Sequence, residues 1–412
     1  MILEVKAMLG VDNFQPERLK LARQMYNDLS KASLADILDV SPSTITKWED
    51  GTHKPQANIL QAISDFFQIP ANWFLRPYII NGNPLFLNRA KKRVLLSACV
   101  KSNAMLLNLA EIHSIAKEWV GFPSVDLIPS LTREEALSLL DPVSCHGKIQ
   151  KLSEDLRHKW GLGTAPILNL MKLVEKSGVT VTGFEMGCEE MDGTSAWIND
   201  NPYIFIATDK QNYYRSRFDL AHELGHIIMH KNLTEADKKA RFDEWEDQAH
   251  YFASCLLFPV QAFVAEVGYK VTLESLIMLK KRWGVSIAAM LVKSRQLRLI
   301  SEEHSSRLWR SYRYRGFTKS EPLDSEKIPE RPTVLRDTIK LLLDHGGFAK
   351  ENLIDKFGLK KHLEVLAGLP KGFLDDDFGQ IISMKPHVIG RNKQSESTLF
   401  KEETEVIKFS KA

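Results

Sequence analysis

The run from Phe218 to His230, FDLAHELGHIIMH, constrains this chain more than any other feature. It is rich in apolar residues and free of proline, so it predicts an uninterrupted, buried helix. His222 and His226 are four residues apart and therefore project from one face of that helix, about a turn apart. Two imidazoles in such a helix are costly to bury unless they have a partner. The run therefore predicts a helix that presents two histidines to a metal ion.

Glu223 lies beside these histidines and completes the pattern H-E-x-x-H. In this pattern the imidazoles bind zinc, while the glutamate holds a water molecule and takes its proton. Zinc lowers the pKa of that water to about 7, which makes hydroxide available at neutral pH. From the His and Glu content of this chain, the pattern would arise by coincidence in about one chain in fifty. A catalytic zinc site also requires a third protein ligand.

The next predicted helix, within EWEDQAHYFASCLLFP, offers Glu244, Glu246, Asp247 and His250 as third ligands. Its inward stripe consists of Ala249, Phe252, Ala253, Leu256 and Leu257. Glu246 extends this stripe by one turn, whereas Glu244 and Asp247 point further toward solvent. We therefore expect Glu246 to be the third ligand. His250, one turn further along, either binds the metal or hydrogen-bonds the glutamate.

His230 repeats the four-residue step after His226. A fourth protein ligand at this position would close the coordination site that catalysis leaves open. We therefore expect His230 to support the site through a hydrogen bond, or to pack in the core, without binding the metal.

Short β-branched and aromatic runs precede the motif at residues 179–184, 194–198 and 203–206, and they predict two or three strands of a small sheet. Asn199-Asp200-Asn201 is typical of a hairpin connection. The expected fold is mainly α, with a small α+β core that carries the H-E-x-x-H helix.

Residues 16–51 have the pattern of three helices separated by short breaks. Ser30 is placed to cap one helix, Ser41-Pro42 to start the next, and Gly51 to end it in a left-handed conformation. Two helices joined this closely form a helix-turn-helix, whose second helix enters the major groove of DNA.

The exposed side of that second helix offers Ser43, Thr44 and Lys47 to base edges or phosphates, with Lys31 and Lys54 as flanking phosphate contacts. The alternative is a helical pair used only for protein contact. Residues 1–60 contain seven Lys or Arg against eight Asp or Glu, which is not the basic footprint of a strong lone DNA binder. We therefore expect binding to require a homodimer or to have modest affinity.

Two sets of motifs resemble known families. The segments PERLKLAR, LADILDVSPSTITKWEDG and LQAISDFFQIPANWFLRP resemble the DNA-binding domain of XRE-type, phage-repressor-like regulators over about residues 14–77. The segments WGLGTAPI, GTSAW, YIFIATDKQNYYRSRFDLAHELGHIIMH and EDQAHYFASCLLFP resemble the ImmA/IrrE metallopeptidases over roughly residues 150–300. The second resemblance implies zinc ligands at His222, His226 and Glu246, with Glu223 as general base.

Composition places limits on the remaining possibilities. A chain of 412 residues exceeds what one hydrophobic core usually serves, and its net charge of +3 says nothing about nucleic acid. No run of eighteen apolar residues and no secretory core is present, so we expect a cytoplasmic protein without a membrane partner. The four cysteines are dispersed without C-x-x-C spacing, which argues against a thiolate zinc site.

These observations predict four regions. Residues 1–78 form a five-helix repressor-like domain, 79–150 a helical connector, 151–300 a zincin-like peptidase domain, and 301–412 a helical region of unknown role. The predicted function is a transcriptional regulator whose zinc endopeptidase cleaves a protein, such as a repressor or a cognate toxin, in a stress, mobile-element or toxin-antitoxin system. The alternatives are an antitoxin or repressor whose metal-binding domain is a non-catalytic scaffold, and a ligand-sensing transcription factor.

Overall fold

The computed structural model describes residues 10–26, 29–88, 93–141, 144–268 and 270–375. The predicted region 301–412 is therefore described only as far as residue 375.

Five helical elements come first: α1 (Pro16–Met25), α2 (Lys31–Ile37), α3 (Pro42–Glu49), α4 (Ala57–Phe67) and a 3-10 helix (Ala71–Leu75). The hydroxyl of Ser30 accepts a hydrogen bond from the Ser33 amide at the start of α2. The hydroxyl of Ser41 does the same for Thr44 at the start of α3. Gly51 follows α3 with a φ of +79°, as expected for a left-handed helix end. The predicted five-helix domain is confirmed, with a 3-10 turn as its fifth helix.

A connector, defined here as residues 76–88, leads from this domain to three further helices: α5 (Arg93–Ala116), α6 (Arg133–Ser138) and α7 (Cys145–Lys159). Helix α6 begins with a capping box in which the Thr132 and Glu135 side chains each bond the other residue's backbone amide. Residues 76–88 are not helical, so the described part of the predicted helical region 79–150 contains helices only from α5 onward. Leu87 in the connector forms an isolated antiparallel bridge with Ser195.

The sheet has three strands: β1 (Thr180–Phe184), β2 (Gly193–Ile198) and β3 (Asn201–Ala207). Their order is β1-β3-β2, with β1 parallel and β2 antiparallel to β3. The turn between β2 and β3 contains Asn199 and Asp200, with φ values of 46° and 60°. Two positive φ angles match a type I′ hairpin, the turn whose twist suits the flanking strands. The expected hairpin and small sheet are therefore both present.

Helix α8 (Leu170–Lys176) precedes the sheet, and six helices follow it: α9 (Tyr213–Met229), α10 (Glu235–Leu257), α11 (Val260–Val267), α12 (Leu273–Trp283), α13 (Ile287–Gln296) and α14 (Glu302–Tyr314). Helix α10 is interrupted at Arg241, whose φ of −142° is not helical. Leu224 of α9 and Phe252 of α10 are fully buried in one core together with Ile204 of the sheet. The fold is mainly α around a small sheet, as predicted.

A 3-10 turn (Asp324–Glu326) leads to the last helices: α15 (Val334–Asp344), α16 (Lys350–Phe357) and α17 (Lys360–Ala367). The Leu366 carbonyl of α17 accepts a hydrogen bond of 2.8 Å from the Thr182 hydroxyl of β1. Arg76 donates to the Lys356 carbonyl at the end of α16, at 2.8 Å. These helices therefore contact both the sheet and the N-terminal domain, a placement that the sequence did not predict.

Gly358, directly after α16, shows how closely these parts approach. A Cβ atom there would lie 2.0 Å from Cδ1 of Trp73, and the residue has a φ of +83°. Only glycine suits both conditions.

Among the described residues no single helix is long and apolar enough to cross a membrane. One bent pair, Glu235–Leu257 with Val260–Val267, qualifies by length and composition only.

Candidate metal centre

Helix α9 carries the first part of the site. Asn212 caps its first turn by accepting a hydrogen bond from the Arg215 amide. The helix then continues without a break to Met229, with Leu220, Ala221 and Leu224 among its buried residues. Its histidines point away from this apolar packing toward helix α10. The local sequence therefore fixes both imidazoles on one face of a rigid element.

Glu246 of α10 meets the two histidines. His226 Nε2 lies 3.1 Å from His222 Nε2 and 3.2 Å from Glu246 Oε1. His222 Nε2 lies 3.6 Å from the other oxygen of Glu246. One potential ligand atom from each of the three residues falls within 4.8 Å of the others. Glu246 is half-buried, whereas Glu244 and Asp247 on the same helix are exposed.

Burial keeps both histidines neutral. It lowers the pKa of His226 to about 3, and it lowers the pKa of His222 well below its usual value. A neutral imidazole offers a lone pair, which is the form that binds a metal. Nδ1 of His222 and Oε2 of Glu223 are buried without a hydrogen-bond partner among the described residues. Two imidazoles, one carboxylate and an unsatisfied glutamate oxygen fit a metal site with one open position.

A chain of hydrogen bonds holds His226 from behind. His226 Nδ1 lies 2.8 Å from Nδ1 of His230, and His230 Nε2 lies 3.1 Å from Oε1 of Gln248. The Gln248 amide nitrogen donates to the Leu139 carbonyl at 3.1 Å, so its oxygen is left to accept from His230. His230 then accepts from His226, which leaves the His226 Nε2 lone pair facing the site. The ring of Trp245 stacks on His230 with centroids 5.7 Å apart.

The Glu223 side chain packs against Gly193 of strand β2, and both residues line a cleft. A Cβ atom on Gly193 would lie 2.8 Å from Oε1 of Glu223, so glycine leaves the space that this carboxyl group occupies. Burial raises the pKa of Glu223 well above its usual value, and the nearby Ser195 hydroxyl offsets only part of that effect. The Trp197 indole donates to the Ile227 carbonyl at 2.9 Å and ties β2 to α9. The cleft has an empty volume of about 870 Å³.

His250 lies at the rim of this cleft and is exposed. Its Nδ1 donates to the backbone carbonyl of Glu246 at 2.7 Å. Its ring makes an edge contact with His222, with centroids 4.4 Å apart. The structure thus places both expected supporting histidines next to ligand candidates, His230 behind His226 and His250 beside His222.

A charged cluster at the cleft was not anticipated from the sequence. Asp192 accepts from Lys210 at 2.9 Å and from Arg215 at 2.8 Å. Asp219 also lines the cleft, and burial raises the pKa of this carboxyl group well above its usual value, with Asp192 adding to the effect. These residues come from the loop before β2, the loop after β3 and helix α9, and no spacing rule connects them in the sequence. Gln248 was missed for the same reason.

The DNA-contact candidates lie on and beside α3. Ser43 and Lys47 are exposed, whereas Thr44 is half-buried and its hydroxyl lies 2.8 Å from that of Ser41. Thr46, which the sequence analysis passed over, is also exposed on this helix. Its hydroxyl donates to the Pro42 carbonyl at 3.2 Å. Serine, threonine and lysine groups on one helix suit contact with base edges and phosphates.

The two flanking lysines differ. Lys54 is exposed after α3. Lys31 lies 3.4 Å from Oε2 of Glu49, and Arg23 binds the same carboxylate at 2.6 Å. A phosphate contact by Lys31 would therefore compete with an ion pair inside the domain.

Comparison with known families agrees with both regions. Residues 19–74 match the helix-turn-helix family. Residues 174–295 match a peptidase family described as the IrrE N-terminal-like domain. No curated protein matches the chain. The chain therefore joins an XRE-type helix-turn-helix domain to an IrrE/ImmA-like peptidase domain.

Proposed function

We propose that this protein is a DNA-binding transcriptional regulator that also hydrolyses peptide bonds in a protein substrate. The observation that carries the proposal is the convergence of His222, His226 and Glu246 within 4.8 Å, with Glu223 beside them in an open cleft. In this proposal the three residues bind zinc, because two imidazoles and a carboxylate are the ligands of many catalytic zinc sites.

The proposed reaction gives distinct roles to Glu223, His230 and Gln248. Zinc would supply Lewis-acid polarisation of the scissile carbonyl. Glu223 orients a water molecule, takes its proton as the water oxygen attacks the carbonyl carbon, and delivers that proton to the leaving amine. His230 and Gln248 hold His226 in the tautomer that keeps Nε2 available.

The substrate in this proposal is a repressor or an antitoxin-type protein, or a cognate toxin, within a stress, mobile-element or toxin-antitoxin system. The helix-turn-helix domain would bring the peptidase to a promoter or operator, with the protein acting in the cytoplasm as a homodimer. Because DNA binding and proteolysis are joined in one chain in this proposal, the favoured substrate is a protein that acts at the same site on DNA.

The decisive experiment compares Glu223→Gln with wild type in cells. Glu223→Gln is nearly isosteric but cannot take a proton, so cleavage should fall by about 10²–10⁴-fold while metal content stays the same. Mass spectrometry of peptide fragments reports cleavage, and elemental analysis of the purified protein reports the metal.

Glu244→Gln is the matched control, because Glu244 is exposed on α10 and pairs only with Arg241 at 3.5 Å among the contacts described. It should cleave as wild type does. Identical fragments from wild type and Glu223→Gln, with metal present in both, would instead support a non-catalytic scaffold.

A further inference from the structure

Strand β2 is the edge of the sheet on the side of the metal cleft. The Ala207 amide donates to the Asp192 carbonyl at 2.9 Å, and Pro202, opposite Trp197, has no amide hydrogen to donate. Bonding alternates along an antiparallel pair, so the backbone groups of Gly193, Ser195 and Trp197 turn away from β3. An edge with outward backbone groups is a site where an extended chain can add as a strand.

The connector runs along this edge, antiparallel to β2. At the hairpin end, the Asn81 amide donates to Oδ1 of Asn199 at 3.0 Å. The Asn199 side-chain amide donates to the Ile79 carbonyl at 2.9 Å. Further along, the Leu87 amide donates to the Ser195 carbonyl at 3.0 Å. The connector thus occupies one of the outward backbone groups of β2, the Ser195 carbonyl.

The same segment ends at the metal cleft. Leu87 and Asn88 line the cleft together with Gly193 and Glu223. Leu87 is only 4% exposed, and the Asn88 side chain donates to that of Asn103 at 2.6 Å. A polypeptide that reached Glu223 along the edge of β2 would therefore meet Leu87 at the position opposite Ser195.

We propose that the connector is an intramolecular competitor for the substrate's strand position on β2. The partner of this edge is an extended polypeptide segment, recognised by main-chain hydrogen bonds to Gly193 and Ser195, and it binds when Leu87 leaves Ser195. This inference rests on the proposed peptidase function, and it adds that the described conformation is closed to a substrate strand at Ser195.

The start of the connector is held by the helix-turn-helix domain. The Arg18 guanidinium donates to the Arg76 carbonyl at 2.7 Å and to the Pro77 carbonyl at 2.9 Å. Arg18 is 1% exposed and also forms a buried ion pair with Glu111 of α5. Only residues 78–86 separate these anchors from Leu87. The connector is therefore a short segment that is anchored on the helix-turn-helix domain at one end and on the edge of β2 at the other.

The test uses metal-free, full-length protein and a peptide with the sequence of residues 82–88, which lacks the Ile79 and Asn81 groups that bond Asn199. In the peptide, a benzoyl-phenylalanine photo-crosslinker replaces the residue that corresponds to Phe86. With the peptide at about 0.1 mM, Leu87→Pro, which removes the amide that bonds Ser195, should raise crosslinking to β2 by about tenfold over wild type. The reason is that a tethered competitor acts at an effective concentration of about a millimolar. A scrambled peptide is the control.

Asn199→Gly and Asn199→Asp test the far end of the connector without touching the cleft. Asn199 has a positive φ that glycine and aspartate tolerate, so the turn is preserved. Glycine loses both anchors and aspartate loses only the donor. Crosslinking should therefore increase from wild type to Asn199→Asp, to Asn199→Gly, to Leu87→Pro. These turn variants also keep the test valid if Leu87→Pro does not fold.

Equal crosslinking in wild type and folded variants, or crosslinks that map away from β2, would overturn the proposal. Thermal unfolding establishes which variants are folded. Because the protein is metal-free, the result does not depend on hydrolysis. Failure of the peptidase proposal would leave a rise in crosslinking unchanged, and equal crosslinking would leave the Glu223→Gln experiment unaffected.

Discussion

The candidate metal centre and the predicted DNA-contact face of α3, which consists of Ser43, Thr44 and Lys47, differ in how their side chains are held. At the metal centre, His226 and Glu223 are 1% and 5% exposed, and their neighbours come from a second helix and a strand. On α3, Ser43 and Lys47 are exposed to solvent. The side chains of the candidate metal centre are fixed by packing against other elements, whereas those on α3 lie at the surface of a single helix.

This difference predicts different responses to substitution. In a buried site, removing one group leaves its partners unsatisfied, so losses are large and insensitive to salt. On an exposed face, each contact adds a modest free energy that salt screens. Substitution of a buried ligand should therefore have the largest effect, and substitution on the exposed face the smallest.

Substitution of a ligand should have the largest effect. Under the proposed zinc assignment, wild type should contain about one zinc ion per chain, and His222→Ala should lose it because one of three donor atoms within 4.8 Å is removed. Elemental analysis measures the loss. His345→Ala changes an exposed histidine outside the cluster and should retain the metal. Equal zinc in the two variants would contradict the ligand assignment.

Much of this centre followed from helix periodicity. His222 and His226 are four residues apart, and Glu246 extends the inward stripe of α10. These two patterns were enough to predict that Glu246 lies near the histidines, because both helices are regular near the site. Gln248 and Gly193 could not be predicted in this way. Their roles depend on which side chain faces them across the packed interface, and that information is tertiary.

The hydrogen-bond chain behind His226 gives the next prediction. Gln248→Leu removes the acceptor of His230, so the His226 tautomer is no longer fixed, and zinc affinity should fall by about 10–100-fold. A competition titration with a fluorescent chelator measures it. Gln248→Glu keeps an oxygen for His230 and should recover most of the affinity, while Asp247→Asn on the exposed side should change little. Wild-type affinity in Gln248→Leu would show that the chain does not position His226.

The fold also has features that short sequence patterns predict and contacts that they do not. Caps and turn residues such as Ser41-Pro42 and Asn199-Asp200 act over a few positions, so the sequence predicted the helix-turn-helix and the hairpin. The contact of Arg76 with the end of α16 joins residues 280 positions apart. No local pattern encodes such a contact, and the role of the C-terminal helices was therefore not predicted.

The exposed face should give the smallest effect. Lys47→Ala should weaken binding to the protein's own promoter by about 1 kcal/mol, roughly fivefold, because it removes one exposed contact among several. Fluorescence anisotropy at several salt concentrations measures the affinity. Lys176→Ala, an exposed lysine on α8, is the matched control and should bind as wild type does.

The salt series also shows what Lys47 contacts. If the ammonium group binds a phosphate, the substitution weakens binding to all sequences alike and lowers the salt slope by about one. If it binds a base edge, the loss is confined to the specific operator and the slope changes little. A Lys47→Ala loss that is large and independent of salt would break the contrast between the two regions, because it would mean that this lysine is desolvated and held as firmly as the buried histidines.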